Sequence, residues 1–167
     1  ILSEMSKVNT LFVRDIIINN PQMFNDLFKI VVANEEPISR RAIWSMDYCL
    51  ENQNNLLTDS QKIQLIDMLE SFSHEGLIRH SLRILFRYNI PQSHQGKLIT
   101  ICFDLLLNPK SSIASKAWSM DILYKFSKQV PEIKSELKIA IEFQLENTSA
   151  GIKNKSIRLL TKLNKEL

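Results

Sequence analysis

The sequence predicts an all-α fold of repeated helical hairpins, and three observations predict it. A five-residue pattern recurs, in which an aliphatic residue is followed by three variable positions, the last of them basic, and then by Ala or Ser. The copies are Ile38-Ser39-Arg40-Arg41-Ala42, Leu77-Ile78-Arg79-His80-Ser81, Ile113-Ala114-Ser115-Lys116-Ala117 and Ile152-Lys153-Asn154-Lys155-Ser156. Successive copies start 39, 36 and 39 residues apart, within the period range of helical-repeat arrays. A ragged fifth copy, Leu2 to Ser6, lies 36 residues before the first and lacks the basic residue. Apolar residues also recur at helical spacing, as in Phe24, Leu27, Phe28 and Val31, or Ile38, Ala42, Met46 and Cys49. Finally, three Gly and five Pro in 167 residues are too few for a β-sandwich or a disordered chain. Together these predict a right-handed α-solenoid of about four and a half helical hairpins, about nine helices in all, forming a single domain over residues 1–167.

Two kinds of helix alternate. The first kind carries the repeated pattern and is expected at residues 1–19, 36–55, 75–89, 110–128 and 149–165. Turn residues Asn34, Ser73, Asn108 and Asn147 precede the last four. Gly76 and Gly151 stand directly before the repeated aliphatic residue, where glycine eases a chain reversal into a helix. The second kind is expected to start near Pro21, Asp59, Pro91 and Pro131, because a first-turn proline gives up no intrahelical bond. Ala or Ser in each copy lets crossing backbones approach to about 8 Å. The aliphatic residue four positions earlier is expected one turn above it on the same face. Residues 98–107 are apolar on nearly all sides, which suits a helix covered on both flanks.

Composition narrows the function classes. The most apolar run, Leu98 to Leu107, is interrupted by Thr100 and Asp104 and is too short to span a bilayer. No cleavable leader is evident, and the chain begins abruptly at Ile1. Cys49 and Cys102 lie 53 positions apart among apolar residues, which is neither a metal spacing nor a disulfide framework. A cytoplasmic protein is expected. His74, His80 and His94 show no metal-ligand spacing with one another or with either cysteine. No phosphate loop or nucleophile elbow is present, and Glu132 and Glu136 are paired on a helix face without a pocket to separate their pKa values. No catalytic residue, cofactor or metal is expected.

The repeated pattern resembles the HEAT or armadillo type of α-helical repeat, over essentially the whole chain. The typical unit of that family has an aliphatic residue, often followed by Arg, and Ala four positions on, with a second amphipathic helix after it. Here the basic residue stands three positions after the aliphatic one. Residues 38–57 and 97–126 also resemble a group of small bacterial HEAT-like proteins, some of which carry the label adenylosuccinate lyase. That enzyme is far longer and presents a Ser-containing signature loop. The nearest segment here, Asn108-Pro109-Lys110-Ser111-Ser112, reads as an interhelix turn, so lyase activity is not expected.

The resemblance implies that first-type helices form an outer row and second-type helices line a groove. First-type helices with their entry turns carry 16 Lys+Arg against 8 Asp+Glu, and the remaining segments 5 against 10. An acidic groove suits a basic protein or peptide partner. Helix phase nominates Asp67, Glu70, Thr100, Asp104, Glu136 and Lys138 as groove residues. The leading reading is therefore a non-catalytic module, expected to be monomeric, that binds a protein or peptide there. The alternative is nucleic-acid binding on a basic ridge of Arg79, Arg83, Arg87, Lys155 and Arg158. The weakest reading rests on Trp44-Ser45-Met46-Asp47, which recurs as Trp118-Ser119-Met120-Asp121. HEAT-like DNA glycosylases pair aromatic and acidic side chains, but packing with an Asp121–Lys125 pair explains the tetrapeptide more simply.

Overall fold

The computed structural model describes residues 2–51, 55–146 and 150–165, and among these residues there are nine α-helices and no strand. They are α1 (Lys7–Asn19), α2 (Phe24–Val32, entered through a 3-10 turn at Pro21–Met23), α3 (Ile38–Cys49), α4 (Asp59–Met68) and α5 (Glu75–Arg87), then α6 (Gln92–Leu107), α7 (Ile113–Ser127), α8 (Pro131–Glu146) and α9 (Ala150–Lys165). The expected starts near Pro21, Asp59, Pro91 and Pro131 match α2, α4, α6 and α8. Asn147, expected as a turn residue, lies outside the described residues.

Side-chain caps set several helix entries. Ser6 accepts from the Asn9 amide at 3.1 Å, and Ser112 from the Ser115 amide at 3.1 Å. Thr58 and Gln61 form a reciprocal capping box at α4, satisfying two amides that the helix cannot. At α5 the cap is His74, whose Nδ1 accepts from the Gly76 amide at 2.8 Å. The fit around Gly76 is tight, since a Cβ there would lie 3.0 Å from His74 Nδ1 and 3.3 Å from Arg40 Cγ, and both side chains would have to give by a few tenths of an ångström. Gly76 and Gly151 are thus helical residues inside α5 and α9 rather than the reversal points expected, and neither has positive φ. The left-handed turn residue is Asn34, at φ 58°. Its side chain accepts from the Ser73 amide at 3.0 Å and donates to the Ser71 carbonyl at 3.0 Å, so the turn before α3 is tied to the turn before α5.

The chain divides into two compact units, Ile1–Gln95 and Gly96–Leu167. In the first, α3 packs against α1, α2 and α5, and α4 against α2 and α5. Ala42, Ile43, Met46, Cys49, Leu65, Ile66, Leu77, Leu82 and Ile84 are wholly buried there. In the second, α7, α8 and α9 pack on one another, around Met120, Leu123, Leu137, Ile141 and Leu163.

The small residue of the pattern is buried in three copies, at Ala42, Ser81 and Ser156, while Ala117 is half-buried. The aliphatic residue divides differently from expectation. Leu77 and Ile152 are buried, but Ile38 and Ile113 are 45% and 54% exposed. The reason is where each helix begins. α5 and α9 start two residues before the aliphatic position, so it already faces inward, whereas α3 and α7 start on it. Ser39 and Ser115 take the inward place instead. Ser39 donates to the Ile30 carbonyl at 2.6 Å and accepts from the Glu35 amide at 2.8 Å.

Candidate functional site

The most organised polar cluster in the first unit surrounds Asp47, near the C-terminal end of α3. Its side chain is wholly buried, which is costly for a carboxylate unless its charge and lone pairs are met. α5 meets them with three side chains spaced along one face. His80 Nδ1 donates to Oδ2 at 2.7 Å, Arg83 Nη1 donates to the same oxygen at 2.9 Å, and Arg87 Nη2 donates to Oδ1 at 2.5 Å. Arg83 also donates to Glu51 at 2.5 Å. Arg79 Nη2 lies 3.1 Å from His80 Nε2; since a guanidinium can only donate, His80 carries its proton on Nδ1. Burial alone would raise the Asp47 pKa. The hydrogen bond from His80 and the charges of Arg87 and Arg83 outweigh it, holding the carboxyl below its ordinary value.

The second unit repeats the arrangement with fewer carboxylates. Asp121, in the second copy of the tetrapeptide, accepts from Lys155 Nζ of α9 at 2.5 Å, a tie between helices beyond the within-helix pairing with Lys125 that the spacing predicts. Asp121 and Lys155 are each about one-third exposed, so this pair is far wetter than the cluster around Asp47. Trp118 is half-buried, and the carboxylate beside it is held by an ammonium group rather than left open as a general base.

The basic residue of each repeat is an internal tie in all four copies. Arg41 donates to the Leu2 and Ser3 carbonyls at 3.0 and 2.8 Å. His80 reaches Asp47, Lys116 reaches Gln144 Oε1 at 3.2 Å, and Lys155 reaches Asp121. Of the five candidate ridge residues, Arg83, Arg87 and Lys155 therefore already hold carboxylates of neighbouring helices. Arg79 and Arg158 are exposed. The signal that could have revealed the cluster is Asp47 itself, an acidic residue next to Met46 and inside an apolar stripe.

The candidate groove residues stand on second-type helices and are mostly exposed. In the first unit, α4 presents Asp67, which lies 3.6 Å from His94 Nε2, and exposed Glu70 just beyond its last turn. In the second, α6 carries exposed Thr100 and Asp104, and α8 carries exposed Glu136 and half-buried Lys138. A cleft of about 520 Å³ runs between α2 and α4, lined by Phe24, Asn25, Phe28, Thr58, Gln61 and Gln64 among others. Lys138 borders a depression of about 370 Å³ with Ile139, Glu142 and Leu163.

No group of three or more His, Cys, Asp or Glu among the described residues could hold a metal ion. Cys49 and Cys102 are free and buried, with thiol pKa values pushed up to about 12 by burial. No helix among the described residues is long and apolar enough to cross a membrane.

These helices, paired and recurring every 36 to 39 residues, define a helical-repeat protein. A family model for the HEAT repeat domain matches residues 3–163, and the chain belongs to that family. No curated protein and no solved structure matches it. HEAT repeats are in general protein-interaction modules and typically not enzymes.

Proposed function

We propose that the protein is a non-catalytic interaction module that binds a basic protein or peptide segment through acidic residues exposed on the second-type helices of each unit. The observation that carries this reading is a contrast between the two rows. Every described carboxylate of the first-type row is engaged within the chain. Glu4 accepts from Ser6, Asp15 pairs with Arg14 and Glu36 with Arg40. Asp47, Glu51 and Asp121 are held as described above, and Glu75 also has a partner. In the second-type row and its turns, Glu35, Glu70, Asp104, Glu132, Glu136 and Glu142 form no ion pair among the described residues. Exposed, unpaired carboxylates of one sign steer and select a cationic partner. The nucleic-acid alternative draws less support, because three of its five residues already neutralise internal carboxylates.

The test is binding of a fluorescent Lys/Arg-rich peptide of about twelve residues by anisotropy, at low and physiological ionic strength. Asp104→Lys with Glu136→Lys, and separately Asp67→Lys with Glu70→Lys, are each expected to weaken binding at least tenfold. Unchanged affinity in both double variants refutes the reading.

A further inference from the structure

The two acid–base clusters obey one spacing rule. In α5 the basic side chains stand three, six and ten positions after Leu77, at His80, Arg83 and Arg87. In α9 they stand three, six and ten positions after Ile152, at Lys155, Arg158 and Lys162. Facing them are the two copies of the tetrapeptide, ending in Asp47 and Asp121. One turn further on, the copies diverge, with Glu51 after Asp47 and Lys125 after Asp121.

That difference changes the charge balance. In the first unit, two carboxylates meet two guanidinium groups and an imidazole, and the second carboxylate, Glu51, is the one that completes Arg83. In the second unit the completing carboxylate is missing and a cation stands at its position. Asp121 neutralises Lys155. Arg158, the counterpart of Arg83, is exposed and has no ion-pair partner among the described residues. Lys162, the counterpart of Arg87, lies 5.7 Å over the Tyr124 ring. Asp121, Lys155, Arg158, Leu159 and Lys162 together line a depression of about 90 Å³.

We propose that this depression binds a phosphate monoester group, with Arg158 and Lys162 taking its oxygens as Arg83 takes the Glu51 carboxylate in the first unit. Lys155, Arg158 and Lys162 set against Asp121 leave a double positive excess. A phosphate monoester carries about −1.5 to −2 at neutral pH. The guanidinium fork suits two of its oxygens at once, and the ammonium group adds a point charge. Asp121 fixes Lys155 on the rim, so the anion meets a cation already in place. The inference is independent of the acidic second-type face, which belongs to other helices.

Amide chemical shifts of the intact chain, titrated with inorganic phosphate against chloride at matched ionic strength, test the proposal. Saturable shifts confined to α9 and residues 121–128 are expected, with none on α5. Arg158→Gln, a surface change, is expected to weaken binding about tenfold or more. Lys125→Glu rebuilds the arrangement of the first unit and is expected to abolish binding. Shifts that do not saturate, or that persist in Arg158→Gln, overturn the site. A phosphoserine peptide and its unphosphorylated form separate the two sources of the group. Binding of the phosphopeptide at least tenfold tighter than phosphate assigns the group to a partner side chain, and a smaller difference overturns the monoester assignment in favour of the free ion. Tighter binding of duplex DNA than of either phosphate probe, with a steep salt dependence, overturns the monoester assignment.

Discussion

Replacing Asp47 with alanine tests the reading of the first-unit cluster. The side chain is wholly buried, and it faces His80 at 7% exposure, Arg87 at 20% and Arg83 at 31%. Arg83 keeps Glu51 and is partly wet, so its loss is discounted. His80 and Arg87 lose an anion they cannot replace with water without opening the α3–α5 contact. Breaking a buried ion pair by removing one partner costs about 3–5 kcal/mol. Asp121→Ala removes the equivalent carboxylate from a pair that is one-third exposed on both sides, where the cost is about 0–1 kcal/mol. Each unit contains one tryptophan, Trp44 or Trp118, so urea unfolding followed by fluorescence in a Trp118→Phe background reports the first unit alone. With a slope of about 2 kcal/mol/M, Asp47→Ala should lower the midpoint by about 2 M. A cost below about 1 kcal/mol, or one no larger than that of Asp121→Ala measured through Trp118, refutes the argument.

The remaining predictions draw on the same geometry. Because Asp47 has a lower pKa folded than unfolded, its stabilising contribution is complete above about pH 4 and is lost as pH falls through the folded value. The stability gap between the native chain and Asp47→Asn should therefore be widest near neutrality and close in acid; a gap that does not vary with pH contradicts this. Cys49 and Cys102, with thiols pushed up to about 12 by burial, should resist an aromatic disulfide reagent at pH 8 until urea unfolds the chain. The Ser81 and Ser156 hydroxyls are buried with no hydrogen-bond partner among the described residues. Ser156→Ala should raise stability by about 1 kcal/mol, and a loss of that size in a thermal melt would show that the hydroxyl has a partner after all.

The helices were legible because their signals are local. Proline and Asp59 marked the second-type starts, and the repeated pattern marked the first-type row. Where α3 and α7 begin was not legible from the pattern alone, so Ile38 and Ile113 were expected on the packed face and stand in solvent. The basic ridge shows a second limit. Arg83 and Arg87 sit at helical spacing on α5, and spacing cannot distinguish a solvated stripe from one that faces a carboxylate 36 to 40 residues earlier in the chain. The repeated tetrapeptide held the missing information. Both copies place an aspartate opposite the next first-type helix, Asp47 against α5 and Asp121 against α9.

The Asp47 cluster also bears on how the first unit opens. In a repeat array, each element is stabilised mainly by its nearest neighbours, so fraying can start wherever those interfaces are weak. A buried carboxylate held by three side chains of α5 joins α3 and α5 across the intervening α4. Neither helix can swing away without stranding a charge in the other, whereas α4 carries no such obligation toward α3. Amide hydrogens of α3 and α5 are therefore expected to exchange with solvent as one cooperative block, at an opening free energy above that of α4, and native-state hydrogen exchange that shows α3 and α5 opening separately would contradict the coupling.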